Sequence, residues 1–183
     1  MELTGRIVRP GDPQYQEASS GWNLLFTQTP QVVVYPQVTE DVVNALTWAR
    51  QNAVSLRVRS GGHCLEGWSS VDDGIVIDVS EMKSVSLDAE SETVTVGAGL
   101  NQFEAVTALG RAGFAAPTGT EGTVGLVGAT LGGGFGLLTR YLGMASDSLL
   151  AAEIVVADND QGAEVITVDA VSYTHLTLPT NRE

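Results

Sequence analysis

Short β-branched runs alternate along this chain with stretches whose apolar positions recur at helical spacing. Gln31–Pro36 (QVVVYP) is a run of the first kind closed by proline, and it predicts a strand. The next segment predicts a helix. Thr39 is placed to cap it, Glu40 and Asp41 sit in its positive first turn, and Val42, Val43, Leu46 and Ala49 make one apolar face lasting to about Asn52. Leu56–Arg59 predicts a strand leading into RSGGHCLEGWSS (Arg59–Ser70), and Gly74–Val79 (GIVIDV) predicts a buried one. Val85–Leu87 and Thr93–Val96 flank the polar segment DAESE, which predicts a hairpin. Asn101 opens a second helix with Phe103, Val106 and Leu109 along one side and Gly113 just past its end. After a glycine-rich stretch, Leu149–Asp158 and Ala163–Val168 predict two more strands around a polar turn. Strands outnumber helices, the order is α/β or α+β, and no internal repeat of useful length is present.

One segment complicates that pattern. Gly122–Thr139 runs for 18 residues without a charge and spaces Gly128, Gly132 and Gly136 by four, like a packed membrane helix. Seven of its residues are glycine, however, each costing a helix about 1 kcal/mol relative to alanine, and no aromatic and basic anchors flank it on both sides. A membrane-associated glycine-rich helix is therefore the weakest of the readings. The end of the chain breaks the pattern differently. VSYTHLTLPTNRE, from Val171, has neither core periodicity nor a cap; it reads as a non-native tail on a domain spanning residues 1–170, and His175 within it carries no functional weight.

Composition narrows the partners. The 183 residues carry a net charge of −13, with no basic stripe to release the counterions of a nucleic acid. Lys83 is the single lysine, so an anionic ligand must be held mainly by backbone N–H groups. Cys64 is the single cysteine, which excludes an intrachain disulfide and a cysteine zinc cluster. The first residues contain no secretory apolar run, and this favours a cytoplasmic protein. Glycine, at 21 residues, is over-represented and clustered, which points to close backbone packing rather than a linker.

The clusters fail the familiar nucleotide signatures. Gly97-Ala-Gly99 begins a dinucleotide fingerprint, but Gln102 occupies its third position; Gly132–Gly136 fails likewise at Leu137, and Lys83 is not placed for a Walker loop. Ser60-Gly61-Gly62, following a strand, can instead turn successive N–H groups toward an anion, with no Cβ to keep a pyrophosphate away. An ordinary strand-end turn fits the same residues. His63 beside it can serve as nucleophile, base or ligand, although His63 and Glu66 alone make a poor metal site. Cys64 is either a thiolate or a small buried hydrophobe. Pro117–Gly136 adds further glycines in an apolar surround. Two such loops suit a ligand with both a pyrophosphate and a flat ring, and flavin adenine dinucleotide (FAD) has both; helix-on-sheet packing is the alternative.

RSGGHCLEGWSSVDDGIVIDVSEM, then VGAGL, then APTGTEGTVGLVGATLGGGFGLLTRYLGMASDSLLAAEIVVAD resemble, in order and spacing from about Pro30 to Asp158, the FAD-binding domain of FAD-linked oxidases. These are the vanillyl-alcohol-oxidase and p-cresol-methylhydroxylase (PCMH) flavoproteins, and the segments are most similar to the berberine-bridge-enzyme-like oxidoreductases. The resemblance implies an α+β fold, a two-lobed PCMH-type domain with mixed sheets flanked by helices. It implies that Arg59, Ser60, Gly61, Gly62 and His63 wrap the FAD pyrophosphate, and that His63 is joined to the 8α-methyl carbon of the isoalloxazine. Cys64, Gly122, Gly125, Gly128, Gly132, Gly133, Gly134, Gly136, Asp147 and Val155 complete the implied cofactor contacts. Glu121 stands where some members carry a second, cysteinyl link, so a single covalent bond is expected; Ala129 stands where the family has a second histidine. Val124 falls at the position associated with oxygen access, which leans toward oxidase. A small-molecule substrate and oxygen are the implied partners, with no nucleic acid, membrane or metal. The substrate domain and the catalytic base of the family have no counterpart in this chain, so the fragment alone is expected to be inactive. A non-catalytic FAD-holding or interaction module, complete at this length, is the alternative.

Overall fold

Strands β2 (Val32–Tyr35) and β4 (Ile75–Asp78) are buried along their whole lengths, which is why both read as continuous apolar runs rather than alternating ones. In the computed structural model, which describes residues 1–160 and 162–169, they form the centre of a four-stranded mixed sheet. Its order is β1 (Arg6–Val8), β2, β4, β3 (Leu56–Arg59); β1 runs antiparallel to β2, while β2, β4 and β3 are parallel. The register pairs Val32 with Ile75, Val33 with Val76 and Val34 with Ile77. Side chains alternate across the pleat, so this register divides the core in two. Val32, Val34, Ile75 and Ile77 pack on one face with Ala45 and Ala49, whereas Val33, Val76 and Val8 pack on the other with Ala18.

Ala18 belongs to the short helix α1 (Tyr15–Ser19), and Ala45 and Ala49 to α2 (Thr39–Gln51). The sequence places α2 correctly but misjudges its cap and part of its inner face: Ala49 is buried and Val42 packs on the core as expected. The helix begins at Thr39, after Val38, and the Asp41 carboxylate accepts from the backbone N–H groups of Gln37 (2.9 Å) and Val38 (3.3 Å). Burial alone pushes the Asp41 carboxyl up, but hydrogen bonds from the Thr4 hydroxyl and these two N–H groups outweigh it and hold the group below its usual range. Anchoring Asp41 turns the helix so that Asn44, Ala45, Thr47 and Ala49 are buried, leaving Val43 and Leu46 half-buried. Thr39 instead donates its hydroxyl to Glu153, 2.7 Å away.

The two predicted hairpins form, β5 (Val85–Asp88) with β6 (Thr93–Val96) and β7 (Ala151–Ala157) with β8 (Ala163–Asp169). The second covers α2 and is tied to it by Thr39–Glu153 at one end and by an Arg50–Asp158 ion pair (3.1 Å) at the other. Helix α3 (Gln102–Arg111) starts where expected, and Asn101 and Glu104 cap it reciprocally. Its inner face is again shifted: Gln102, Ala105 and Leu109 are buried, while Phe103 is 68% and Val106 50% exposed. The helix start is clamped to the glycine-rich stretch by Gln102 N–H to Val124 O and Phe103 N–H to Gly122 O, and that clamp sets its rotation. The uncharged segment does not form a span. It yields the six-residue helix α4 (Leu126–Leu131), ended by Gly133 and Gly134 at φ of +102° and +74°, and then α5 (Thr139–Leu142). Among the described residues no helix is long and apolar enough to cross a membrane. The tail from Val171 and the boundary at Ala170 lie outside the described residues.

Truncating Ile77, on β4 with its side chain buried against Val32, Val34, Ala45 and Ala49, opens a cavity in the larger core. Ile77→Ala is expected to lose about 2–5 kcal/mol of unfolding free energy with the native fold retained, as read by urea denaturation.

Candidate cofactor-binding site

The connection from β3 to the parallel β4 has no helix: it leaves the sheet at the carboxyl end of β3, where Ser60–His63 lie, and crosses back to reach the amino end of β4 through Gly74. Open sheets bind ligands at the carboxyl ends of their strands. Arg59 closes β3 and Asp78 closes β4, paired in register, and their side chains form an ion pair of 2.6 Å at 4% and 6% exposure. Arg59 also donates to the carbonyls of Ala18 and Ser20 (the latter 3.2 Å), and the second Asp78 oxygen accepts the Ser80 N–H at 2.9 Å. Each nitrogen of the arginine that starts the loop thus has a partner within the protein.

Beyond it the Ser60 hydroxyl donates to Ala98 O (2.8 Å), pinning the loop to the VGAGL segment. Gly61 faces Gly125: a Cβ on Gly61 would lie 2.2 Å from Gly125 N, and one on Gly125 would lie 2.7 Å from Gly61 N. The two glycine-rich stretches are therefore in backbone contact. Gly62 adopts φ +71°, its carbonyl accepts the Trp22 N–H (2.9 Å), and the Trp22 indole stacks on the His63 ring with centroids 5.4 Å apart and planes 22° apart. His63 Nε2 lies 2.9 Å from Thr123 Oγ1, and that hydroxyl donates to Glu121 Oε1 at 2.8 Å. Hydrogen bonds from the Thr123 N–H and hydroxyl, with His63 close by, hold the exposed Glu121 carboxyl below its usual range.

Two clefts share Arg59–His63. One of about 480 Å³ is walled by Val58–Cys64, Trp68, Ser69, Val124, Gly125, Gly128 and Ala129. The other, about 500 Å³, extends past Trp22, Tyr35, Asp78, Gly99 and Asn101. The N–H groups of Gly61, Gly62 and His63 donate to no other described residue. Unused donors on a turn that only glycine can make, beside an apolar recess, fit a pyrophosphate joined to a ring.

Of the residues singled out from the sequence, the structure gathers Arg59, Ser60, Gly61, Gly62, His63, Cys64, Val124, Gly125 and Gly128 at one cleft, with Glu121 joined to it through Thr123. Gly122, Gly132, Gly133, Gly134, Gly136, Asp147 and Val155 line neither cleft. Gly133 and Gly134 pack against Met144 and Ala145, Gly136 against the Thr118 carbonyl, and Asp147 accepts the Met144 N–H (2.8 Å). Val155 sits within β7 opposite Val165. Cys64 is half-buried with its Sγ 3.7 Å from Glu66, and no metal-holding cluster exists among the described residues. Sequence reasoning missed Trp22, Thr123 and Asp78. Of these only Asp78, a charge closing an apolar strand as Arg59 closes its neighbour, left a signal.

A glycine-lined cleft at the carboxyl ends of β3 and β4 suits a cofactor, and the comparisons with known proteins show the family. The chain belongs to the FAD binding domain family, whose model matches residues 30–161. An uncharacterised FAD-linked oxidoreductase of Bacillus subtilis strain 168, YgaK, is 43% identical over 175 residues, 96% of this chain and 39% of that protein. (R)-6-hydroxynicotine oxidase of Paenarthrobacter nicotinovorans is 32% identical over 160 residues, 87% of this chain and 35% of that one. Among solved structures, BBE-like 1 of Physcomitrella patens superposes with a TM-score of 0.87 at 32% identity, covering 96% of this chain and 38% of that one. The α+β, PCMH-type architecture and the berberine-bridge-enzyme-like resemblance both hold. The chain spans 39% and 35% of the lengths of the two relatives.

Removing Asp78 leaves Arg59 as a buried, uncompensated cation. Asp78→Ala is expected to lose about 3–5 kcal/mol in chemical denaturation. Gly61→Ala forces the two loops apart and is expected to lower melting temperature and FAD affinity together. Gly128→Ala, whose Cβ meets nothing within 4 Å, is expected to weaken FAD binding while leaving the melting temperature in place; calorimetry and fluorescence titration separate the two.

Proposed function

We propose that this chain is the FAD-binding portion of an oxidoreductase that carries its FAD on His63 through a single covalent bond. The observation that carries the reading is the fixed imidazole: His63 stands at the cleft wall, stacked on Trp22 and bonded to Thr123 through Nε2, while its Nδ1 has no partner among the described residues. Bound FAD would supply a two-electron acceptor for a hydride from a substrate carbon, with molecular oxygen as the final acceptor. Gly61, Gly62 and His63 hold the pyrophosphate through backbone N–H groups. Arg59 positions them without spending its own charge on the ligand, because that charge answers Asp78. Val124 and Gly128 wall the cleft where the ring lies. Gly132–Gly136 and Asp147 act one step away, by shaping the turn after α4.

The domain runs from the first residues to about residue 170, beyond the family match, because α1 supplies the Ala18 carbonyl that holds Arg59 and β8 completes the hairpin over α2. A relative named as an oxidase of 6-hydroxynicotine supports oxidase chemistry on a small molecule. The substrate lobe and catalytic base lie in the remainder of the full-length protein, and exposed Phe135, Leu137 and Tyr141 offer that lobe an apolar surface.

The test is incubation of the chain with FAD followed by acid precipitation. Flavin absorbance is expected to stay with the wild-type pellet and to wash off His63→Ala. Absorbance found wholly in the wild-type supernatant overturns the covalent reading.

A further inference from the structure

Thr123 has one hydroxyl hydrogen and two neighbours within reach of it, Glu121 Oε1 at 2.8 Å and His63 Nε2 at 2.9 Å. An ionised carboxylate only accepts hydrogen bonds. Glu121 is fully exposed and held below its usual range by the hydrogen bonds from Thr123, so it is ionised at neutral pH. The hydroxyl hydrogen therefore points to Glu121, and Thr123 Oγ1 is left to accept from the imidazole. That assignment puts the ring hydrogen on Nε2 and the free lone pair on Nδ1. Stacking against Trp22 holds the ring plane and opposes a flip that would exchange the two nitrogens.

We propose that Thr123 and Glu121 form a two-link relay that keeps His63 in its Nε2–H tautomer and takes up the Nε2 proton when Nδ1 becomes bonded to the flavin. The proposal rests on His63 being the covalent tether. In that attachment the Nδ1–C8α bond forms and one C–H bond of the 8α-methyl group breaks. A neutral imidazole alkylated at Nδ1 must also give up its Nε2 hydrogen, which Thr123 passes to Glu121. The methyl hydrogen and the Nε2 hydrogen, with two electrons, end on dioxygen as hydrogen peroxide, so one FAD, one histidine and one dioxygen give the tethered flavin and one peroxide. Thr123 and Glu121 are positioning residues here; neither bonds to the flavin.

Two readouts test the relay, and the first needs no flavin. In the flavin-free chain carrying His175→Gln, so that one imidazole is observed, nitrogen-15 NMR is recorded well above the ordinary histidine pKa of about 6.5. The ring proton is expected on Nε2 in that background. Thr123→Val is expected to give a mixture of tautomers, and Thr123→Ser is expected to restore the single one. The second readout is the initial rate at which added FAD becomes acid-stable. It is expected to fall about 10²-fold in Thr123→Val and in Glu121→Gln, the low end of general acid–base effects, with the Thr123→Ser rate near that of wild type and with the initial reversible FAD affinity unchanged. A ring proton on Nδ1 in the His175→Gln chain, or incorporation rates unchanged in both slow variants, overturns the relay and leaves the tether standing. An Nε2–H ring that takes up no acid-stable flavin overturns the tether and, with it, the proton-accepting role of the relay.

Discussion

Arg59 and Asp78 end neighbouring parallel strands, and the loop that carries Gly61, Gly62 and His63 begins at the residue this pair immobilises. Two charges withdrawn from water destabilise a fold unless the remaining donors and acceptors are also met. Here every charged atom of the pair has a partner: the other two Arg59 nitrogens reach the Ala18 and Ser20 carbonyls, and Asp78 takes the Ser80 N–H with its other oxygen. The pair thereby joins three parts of the chain that are distant in sequence, the end of α1, the exit of β3 and the turn after β4. On the proposed reading the pair bears on how an anion is held: each Arg59 nitrogen already has a partner within the protein, so the arginine contributes position and the binding falls to the backbone of the following glycines, in keeping with a chain of net charge −13.

Glycine does two different jobs in the site. At Gly61 and Gly125 the missing Cβ lets two backbones touch, which brings His63 on one stretch against Thr123 on the other. At Gly133, Gly134 and Gly136 the glycines serve the tight return after α4, where side chains would strike Met144, Ala145 and the Thr118 carbonyl. The longest run of glycine thus has a packing reason of its own, and the shorter pairs line the cleft beside His63.

Much of the fold was legible before any coordinates. β2, β3, β4, both hairpins and the two long helices are where the apolar patterns put them, because burial on both faces of a central strand demands unbroken runs of Val and Ile. Local spacing found Ala49 and Leu109 on the inner faces of α2 and α3 but not the polar residues buried beside them, Asn44 and Thr47 in α2 and Gln102 in α3. The rotations that bury those residues follow from hydrogen bonds made at the helix starts, by Asp41 in one case and by Val124 and Gly122 in the other. Of the site, the Arg59–His63 loop and the Val124–Gly128 wall were readable as motifs, and the family they belong to was readable from the order in which several motifs recur.

Residue types and spacing by themselves determined the strands, the turns, the acidic character and the glycine-rich loop after β3, since these depend on a residue and its near neighbours. Only the tertiary structure decided that Arg59 is answered by Asp78, that Gly61 lies on Gly125, and that Trp22, Thr123 and Glu121 converge on one imidazole. Those are contacts between residues far apart in the chain, and their distances are set by how the sheet, α1 and the glycine turns pack, which no local pattern encodes.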